Sequence, residues 1–135
     1  MMGLTRKGEY AIRGIIYLAR LPQGKVALIS EIAAAVDVPQ AFLAKIFQNF
    51  AKLGLVSSAR GTGGGFMLGR PAAKITLREV VEVVEGPIMP NRCLLGVGSC
   101  DRAAHCNVHP VWQKVQSQVV DILDSVTIEE LAREV

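Results

Sequence analysis

A tight turn between two helical segments limits the folds open to this chain more than any other feature. The turn is Asp37-Val38-Pro39. Before it, Ser30 is placed to cap a short Ala-rich helix, Glu31 to Val36. After it, Pro39 suits the first position of a second helix, because proline is tolerated where the backbone N–H has no helical partner. This order predicts a helix-turn-helix.

The second of these helices is predicted over about Pro39 to Leu53, and Gly54 closes it as a C-terminal cap. Its apolar side chains form one stripe, which we expect to be buried: Phe42, Leu43, Ile46, Phe47, Phe50 and Leu53. The opposite face is then free, and it carries Ala41, Ala44, Lys45, Gln48 and Lys52, with Gln40 near the tip.

The flanking segments complete a small domain. Thr5 is placed to cap a helix from Arg6 to Leu21, and a short extended piece follows at Lys25–Leu28. A strand is predicted at 55–60, a glycine loop at 61–65 and a return strand at 66–68. The sequence therefore predicts a mainly α protein with a small β wing, a winged helix-turn-helix.

The second half of the chain adds a helical arm. Thr76 and Glu79 have the spacing of a capping box and open a helix that ends at Gly86. A Gly-rich segment with cysteines follows, then a long helix from Pro110 to about 126 and a short helix after Thr127. We expect a winged domain at 1–86, a cysteine segment at 87–109, and a dimerisation helix with the C-terminal helix at 110–135.

The charge of the chain is divided between its halves. Residues 1–74 carry ten basic and three acidic side chains, a net charge of +7, whereas residues 75–135 carry a net charge of −4. A basic half on a small chain indicates a polyanionic partner, and nucleic acid is the usual one. The alternative is a solvated surface on which charges happen to cluster.

A helix-turn-helix places the start of its second helix in the major groove, where Gln reads base edges and Lys meets phosphate or guanine. Arg60 and the bare backbone of the glycine loop suit a phosphate backbone or a minor groove. The alternatives are an ordinary exposed helix and a flexible hairpin. The predicted contacts to double-stranded DNA are Thr5, Gln40, Ala41, Ala44, Lys45, Gln48, Arg60, Thr62 and Gly63.

Three cysteines and a histidine lie within seventeen residues, in the pattern Cys-x6-Cys-x5-Cys-x2-His: Cys93, Cys100, Cys106 and His109. Thiolates suit zinc or an iron–sulfur cluster. The spacing lacks the paired Cys-x2-Cys of most structural zinc sites, which favours a cluster. Zinc and a metal-free thiol switch remain alternatives. His109 could also be a helix-terminal histidine without a metal, and His105 ranks lower as a ligand.

The long helix carries an apolar stripe at spacings of four, four, three and four, with Leu123 beside it: Val111, Val115, Val119, Ile122 and Val126. Such a stripe is often an ordinary core face. A winged domain of this size has little surface left to cover it, so we expect a second copy of the chain to do so, giving a homodimer.

Other classes of protein are disfavoured. The apolar stretches are interrupted by charged residues or glycine within a dozen positions, so no membrane association is expected. The N-terminus has no secretion signal, which predicts a cytoplasmic protein. We find no acid/base pair, nucleophile elbow or phosphate loop, and we expect no enzymatic activity.

Four stretches together resemble the Rrf-two family of winged-helix transcription regulators, in particular its iron–sulfur cluster regulators: LTRKGEYAI, VPQAFLAKIFQNFAKLGLVSSARGTGGGFMLGRP, ITLREVVEVVEG and CNVHPVW. The resemblance covers nearly the whole chain. It implies a homodimer on a two-fold operator and a [2Fe–2S] cluster on Cys93, Cys100, Cys106 and His109. The expected function is regulation of operator binding by iron–sulfur or redox status, with cluster donor proteins as further partners.

Two positions qualify the resemblance. Relatives often carry Glu where this chain has Ala44, so their operator preference does not carry over. Some relatives ligate a cluster through an acid on the first helix, which makes Glu9 a rival fourth ligand. A [4Fe–4S] cluster, zinc or no metal are the alternatives to [2Fe–2S]. The second functional hypothesis is a cluster-free, nitric-oxide-sensing or thiol-sensing regulator of the same fold that acts through cysteine modification or a protein partner.

Overall fold

The structure is a computed structural model that describes residues 4–59, 65–88 and 107–133. In these ranges it has six α-helices, two strands and one short 3-10 turn. The helices are α1 (Arg6–Arg20), α2 (Ile29–Val36), α3 (Gln40–Lys52), α4 (Leu77–Glu85), α5 (His109–Asp124) and α6 (Ile128–Arg133). The strands are β1 (Val56–Ala59) and β2 (Gly65–Leu68), and the 3-10 turn is Ala72–Lys74. The predicted fold class, mainly α with a small β wing, is confirmed.

The core lies where α1, α2, α3 and the wing meet. Phe47 of α3 has its ring 5.4 Å from that of Phe50 and 5.3 Å from that of Phe66 on β2, so one side chain joins the helix to the wing. A Cβ atom at Gly14 of α1 would lie 2.8 Å from the Phe47 ring. The missing side chain therefore lets α1 and α3 approach closely.

The wing is a two-stranded antiparallel sheet in which Val56 faces Leu68 and Ala59 faces Gly65. The extended segment after α1 adds to its edge. Ala27 donates to the Phe66 carbonyl at 2.9 Å and accepts from the Phe66 N–H at 2.8 Å. These bonds fix the base of the wing against the helical core.

Thr5 and Thr76 are confirmed as helix caps, whereas the predicted roles of Ser30 and Pro39 are corrected. Thr5 and Thr76 cap α1 and α4, and Thr76 forms the full capping box with Glu79. Ser30 is not a cap, because α2 already begins at Ile29 and Leu28 holds the extended capping conformation. Pro39 is likewise the cap of α3 and not its first helical residue. In both cases the chain turns into the helix one or two residues away from the predicted position.

The apolar stripe of α3 is narrower than predicted. Its buried members are Leu43, Ile46, Phe47 and Phe50. The expected burial of Phe42 and Leu53 is wrong, since they are 58% and 61% exposed. At 100° per residue, Phe42 lies about 90° and Leu53 about 70° from the centre of the buried stripe, beyond the edge of the core.

The end of the chain returns to the first domain. Ile128 of α6 is fully buried in the core, and α6 packs against α1 and the 3-10 turn. The Ile128 N–H donates to the Ile75 carbonyl at 2.9 Å, and the Leu77 N–H donates to the Val126 carbonyl at 2.8 Å. The division at 86 and 109 stays a prediction, but α6 shares the core of the winged domain.

Helix α5 differs from the other helices because none of its side chains is buried. It packs mainly against α4. The Gln116 amide donates to the Ile88 carbonyl at 2.8 Å, and Arg78 of α4 lies 3.9 Å from the Asp124 carboxylate. Its apolar residues Val111 and Ile122 are 57% and 63% exposed in the single chain.

The buried end of the chain gives a stability prediction. Ile128→Ala should lower the free energy of unfolding by about 2–5 kcal/mol, because it removes buried methyl groups and leaves a cavity. Leu53→Ala, at an exposed site, should change it by roughly 0.5 kcal/mol or less. Urea unfolding followed by circular dichroism measures both. Equal effects would contradict the packing of α6 into the core.

Candidate nucleic-acid interface

The outward face of α3 is small and polar. Gln40, Ala41, Lys45 and Gln48 are exposed, and Ala44 is half-buried. The four buried residues of the stripe fix this orientation, because they hold the opposite side of the helix in the core. The first turn of α3 carries no acidic residue, so its N-terminal N–H groups are open to an anion. The predicted reading face is therefore accessible along the helix.

The start of α1 is tied to the end of α4. The Thr5 hydroxyl accepts from the Gly8 N–H at 3.3 Å and donates to the Glu85 carboxylate. An acid at the C-terminus of a helix is unfavourable, but the Glu85 carboxylate lies at the N-terminus of α1, where the helix dipole favours it. Arg6 and Lys7 are exposed beside this contact. Thr5 as a DNA contact stays a prediction.

The tip of the wing, with Arg60, Thr62 and Gly63, lies outside the described residues. The last described pair of the two strands is Ala59 with Gly65. The roles of these three residues in DNA contact stay predictions.

Several cations of the basic half are engaged within the protein. Arg70 forms an ion pair with Glu79 at 2.7 Å and donates to the Lys74 carbonyl, and Arg20 donates to the Ala132 carbonyl. The charge available to a polyanion is therefore smaller than the residue count suggests. Exposed cations are found on both helices of this surface, Arg6, Lys7 and Arg13 on α1 and Lys45 and Lys52 on α3.

Two titratable groups have shifted pKa values, and both shifts come from structural contacts. The hydrogen bond from Tyr17 of α1 to Glu31 of α2, 2.9 Å long, raises the pKa of the tyrosine phenol. The hydrogen bond from Arg78 to Glu82 raises the pKa of the guanidinium further above its ordinary value. At neutral pH the phenol is uncharged and the guanidinium is charged, as both groups usually are, so the two contacts stabilise the helices and do not mark a catalytic site.

Of the four predicted cluster ligands, the structure describes only His109, and the three cysteines lie outside the described residues. His109 is the first residue of α5, and its Nδ1 atom is buried without a hydrogen-bond partner in the described part of the chain. A buried unpaired nitrogen costs about 1–3 kcal/mol, which a metal bond would offset. The rival ligand Glu9 is exposed on the first turn of α1.

The described ranges contain no group of three or more His, Cys, Asp or Glu side chains that could hold a metal ion. The same ranges contain no helix that is long and apolar enough to span a bilayer. Thiolates and imidazoles are ligands that both iron–sulfur centres and zinc accept, and the Nδ1 of His109, which has no partner among the described residues, fits such a role.

Sequence reasoning missed two features of this surface. Phe42 was assigned to the core but lies beside the reading face, and Tyr10 of α1 packs against its ring. The helical angle of Phe42, at the margin of the stripe, is the one signal that could have separated it from its neighbours. The contact between Thr5 and Glu85 joins residues eighty positions apart, and nothing in the sequence pairs them.

Comparison with known proteins gives a consistent result. The model of the Rrf2 family (Rrf-two above), described as iron-dependent transcriptional regulators, matches residues 4–134. The HTH-type transcriptional regulator IscR of Xenorhabdus nematophila is 33% identical over 132 residues, which are 98% of this chain and 80% of that protein.

Solved structures agree in fold. CymR of B. subtilis, the global cysteine regulator, superposes with a TM-score of 0.78 at 29% identity, covering 98% of this chain and 97% of that one. IscR of T. potens superposes with a TM-score of 0.75 at 25% identity, and the match covers 96% of this chain and 85% of that one. These relatives are transcriptional regulators and not enzymes. With a winged helix-turn-helix, an open α3 face and a family match over nearly its full length, the chain belongs to the Rrf2 family of DNA-binding transcriptional regulators.

Proposed function

We propose that this regulator is a cytoplasmic homodimer that binds a two-fold operator through α3 and the wing, and that a [2Fe–2S] cluster sets its operator affinity. The observation that supports the DNA contact is the outward face of α3, which combines small residues with Gln and Lys. Small residues let a helix lie deep in the major groove, Gln40 and Gln48 reach base edges, and Lys45 meets phosphate or guanine.

The proposed dimer rests on α5. Its stripe includes Val111 and Ile122, which are more than half exposed, while α4 covers another side of the same helix. A second copy of α5 is the partner with a matching stripe, and a two-fold pair would present two α3 helices to successive major grooves. Dimer and operator then share one symmetry.

The proposed cluster ligands are Cys93, Cys100, Cys106 and His109. The unpaired Nδ1 of His109 supports its inclusion, and the three thiols precede it within sixteen residues. When bound, the cluster supplies a one-electron redox centre, and the imidazole tunes its potential and is its replaceable ligand. Cluster donor proteins would be transient partners that load this site.

Helix α4 is the proposed route from the cluster to the DNA. It packs against α1, α3 and α5, and the cysteine segment begins a few residues after its end. Glu85 in its last turn contacts Thr5, the cap of α1 beside exposed Arg6 and Lys7. A small shift of α4 would therefore move the start of α1 relative to α3. A coupling free energy of about 1–3 kcal/mol is enough for regulation.

The similarity to the global cysteine regulator favours a second candidate. In this second candidate, a regulator of the same fold changes its operator binding through cysteine chemistry or a protein partner and needs no cluster. Anaerobic purification separates the two, since only the first gives visible absorbance with iron and sulfide in the protein.

The cluster ligands give the first test of this proposal. Cys93→Ala should abolish visible absorbance and the redox dependence of operator binding. His109→Ala should lower bound iron and sulfide, whereas His105→Ala, its matched control in the same segment, should keep them at the wild-type level. Metal and sulfide analysis after anaerobic purification measures this. If Glu9→Gln loses bound iron and sulfide and His109→Ala does not, Glu9 is the fourth ligand.

The salt dependence of operator binding tests the role of the wing. Arg60→Ala should weaken operator binding and flatten the plot of log affinity against log salt by roughly 0.9 for each lost phosphate contact, or about 2 for a dimer. Arg133→Ala is the control, because its guanidinium lies on α6 and pairs with Glu129. Fluorescence anisotropy between low and moderate salt measures the slope. An unchanged slope would exclude Arg60 from phosphate contact.

The dimer is tested on the exposed stripe of α5. Wild type should sediment at twice the mass of the 14.5 kDa chain. Ile122→Glu should sediment as a monomer with unchanged helical circular dichroism, because its side chain is exposed in the single chain and buried only in the pair. Gln113→Glu, on the opposite side of α5 and also exposed, should stay dimeric. A dimeric Ile122→Glu would place the interface elsewhere.

A further inference from the structure

An exposed aromatic ring stands at the start of α3. Phe42 is in the first turn of the helix and is 58% exposed, although the helix offers a core a quarter-turn away. Leaving such a ring in water gives up most of the roughly 1.5–3 kcal/mol that burying it would supply. A surface Phe at the start of α3 is therefore available to a ligand that covers it.

The Phe42 ring is held in place by a second aromatic ring. Tyr10 of α1 meets it edge-to-face, with ring centroids 6.3 Å apart and planes at 69°. Tyr10 itself is half-buried and packs against the core. Phe42 is thus a positioned side chain, and it loses little conformational freedom when a ligand covers its outer face.

The neighbours of Phe42 identify the ligand. Ala41 precedes it on the exposed face, Lys45 follows one turn later, and Gln40 begins the helix. The side chain of Ala41 ends at its methyl group, so it leaves room for the longer Phe42 ring to reach a groove wall. Polar and cationic neighbours suit a duplex better than an apolar protein surface.

We propose that Phe42 is a specificity-determining residue that contacts the C5-methyl group of a thymine in each half-site. The inference rests on the proposed binding of α3 in the major groove. The thymine methyl is the one apolar group that a base pair presents there. Ala41 adds a second apolar surface, so this end of α3 discriminates by methyl contact and Gln48 and Lys45 by polar contact.

The experiment is a double-mutant cycle on protein and DNA. An operator is selected from random duplexes with the wild-type, metal-loaded protein, and its thymines are replaced one at a time by uracil, which lacks only the methyl group. One replacement in each half-site should lower wild-type affinity about fourfold per methyl, the equivalent of about 0.8 kcal/mol. Phe42→Ala should bind the thymine and uracil operators equally well.

Leu53→Ala is the matched control. Leu53 is as exposed as Phe42 and lies on the same side of the helix, but roughly 16 Å further along it. Its variant should keep the full response to uracil. Circular dichroism and sedimentation of Phe42→Ala should match wild type, since the ring is outside the core.

The outcomes are distinct. If Phe42→Ala keeps the response to every uracil replacement, the methyl contact is wrong. If Phe42→Ala alters the oligomeric state, the ring is covered by protein and the inference is also overturned. If the wild-type protein selects no operator at all, the proposed function fails first, independently of Phe42.

Discussion

The burial of one side of α3 determines how the rest of the molecule is arranged. Leu43, Ile46, Phe47 and Phe50 are fully buried, and Phe47 joins the helix to the wing through Phe66. Each such side chain contributes about 1.5–3 kcal/mol by leaving water. Rotation of α3 by even a quarter-turn would expose them, so the opposite face is held outward. The functional surface is a consequence of the core and needs no interaction of its own.

The same constraint explains what the sequence could and could not predict. Helical periodicity identified the centre of the stripe, because residues three and four apart must share a face. Periodicity could not identify the margins of the stripe, because Phe42 and Leu53 are as apolar as the buried residues beside them. Whether a residue at the margin is buried depends on how wide the facing core is. The capping box at Thr76 was predictable because its two hydrogen bonds are local. The start of α2 was not, because Leu28 caps it through backbone conformation alone.

Long-range contacts were beyond sequence reasoning for a related reason. The return of α6 to the core depends on Ile128 reaching a space left by α1 and the 3-10 turn, and no local pattern encodes that space. The contact between Thr5 and Glu85 is of the same kind. For the candidate site, the pattern of cysteines and His109 named a ligand set. To this the structure adds that the His109 Nδ1 is buried with no partner in ranges 4–59, 65–88 and 107–133, a property of packing that composition does not carry.

The proposed coupling between the cysteine segment and the DNA-binding face depends on how α4 and α5 are held in the fold. Helix α5 has no buried side chain of its own. At its C-terminal end it is held by Ile128, which is fully buried. Along its length the described residues pack mainly against α4, where the Gln116 amide donates to the Ile88 carbonyl and Arg78 lies 3.9 Å from the Asp124 carboxylate. Helix α4, by contrast, is fixed to the core by Val80. If the proposed cluster binds beside His109, α4 is therefore the element through which a change at α5 would reach α1 and α3, because it packs against all three helices.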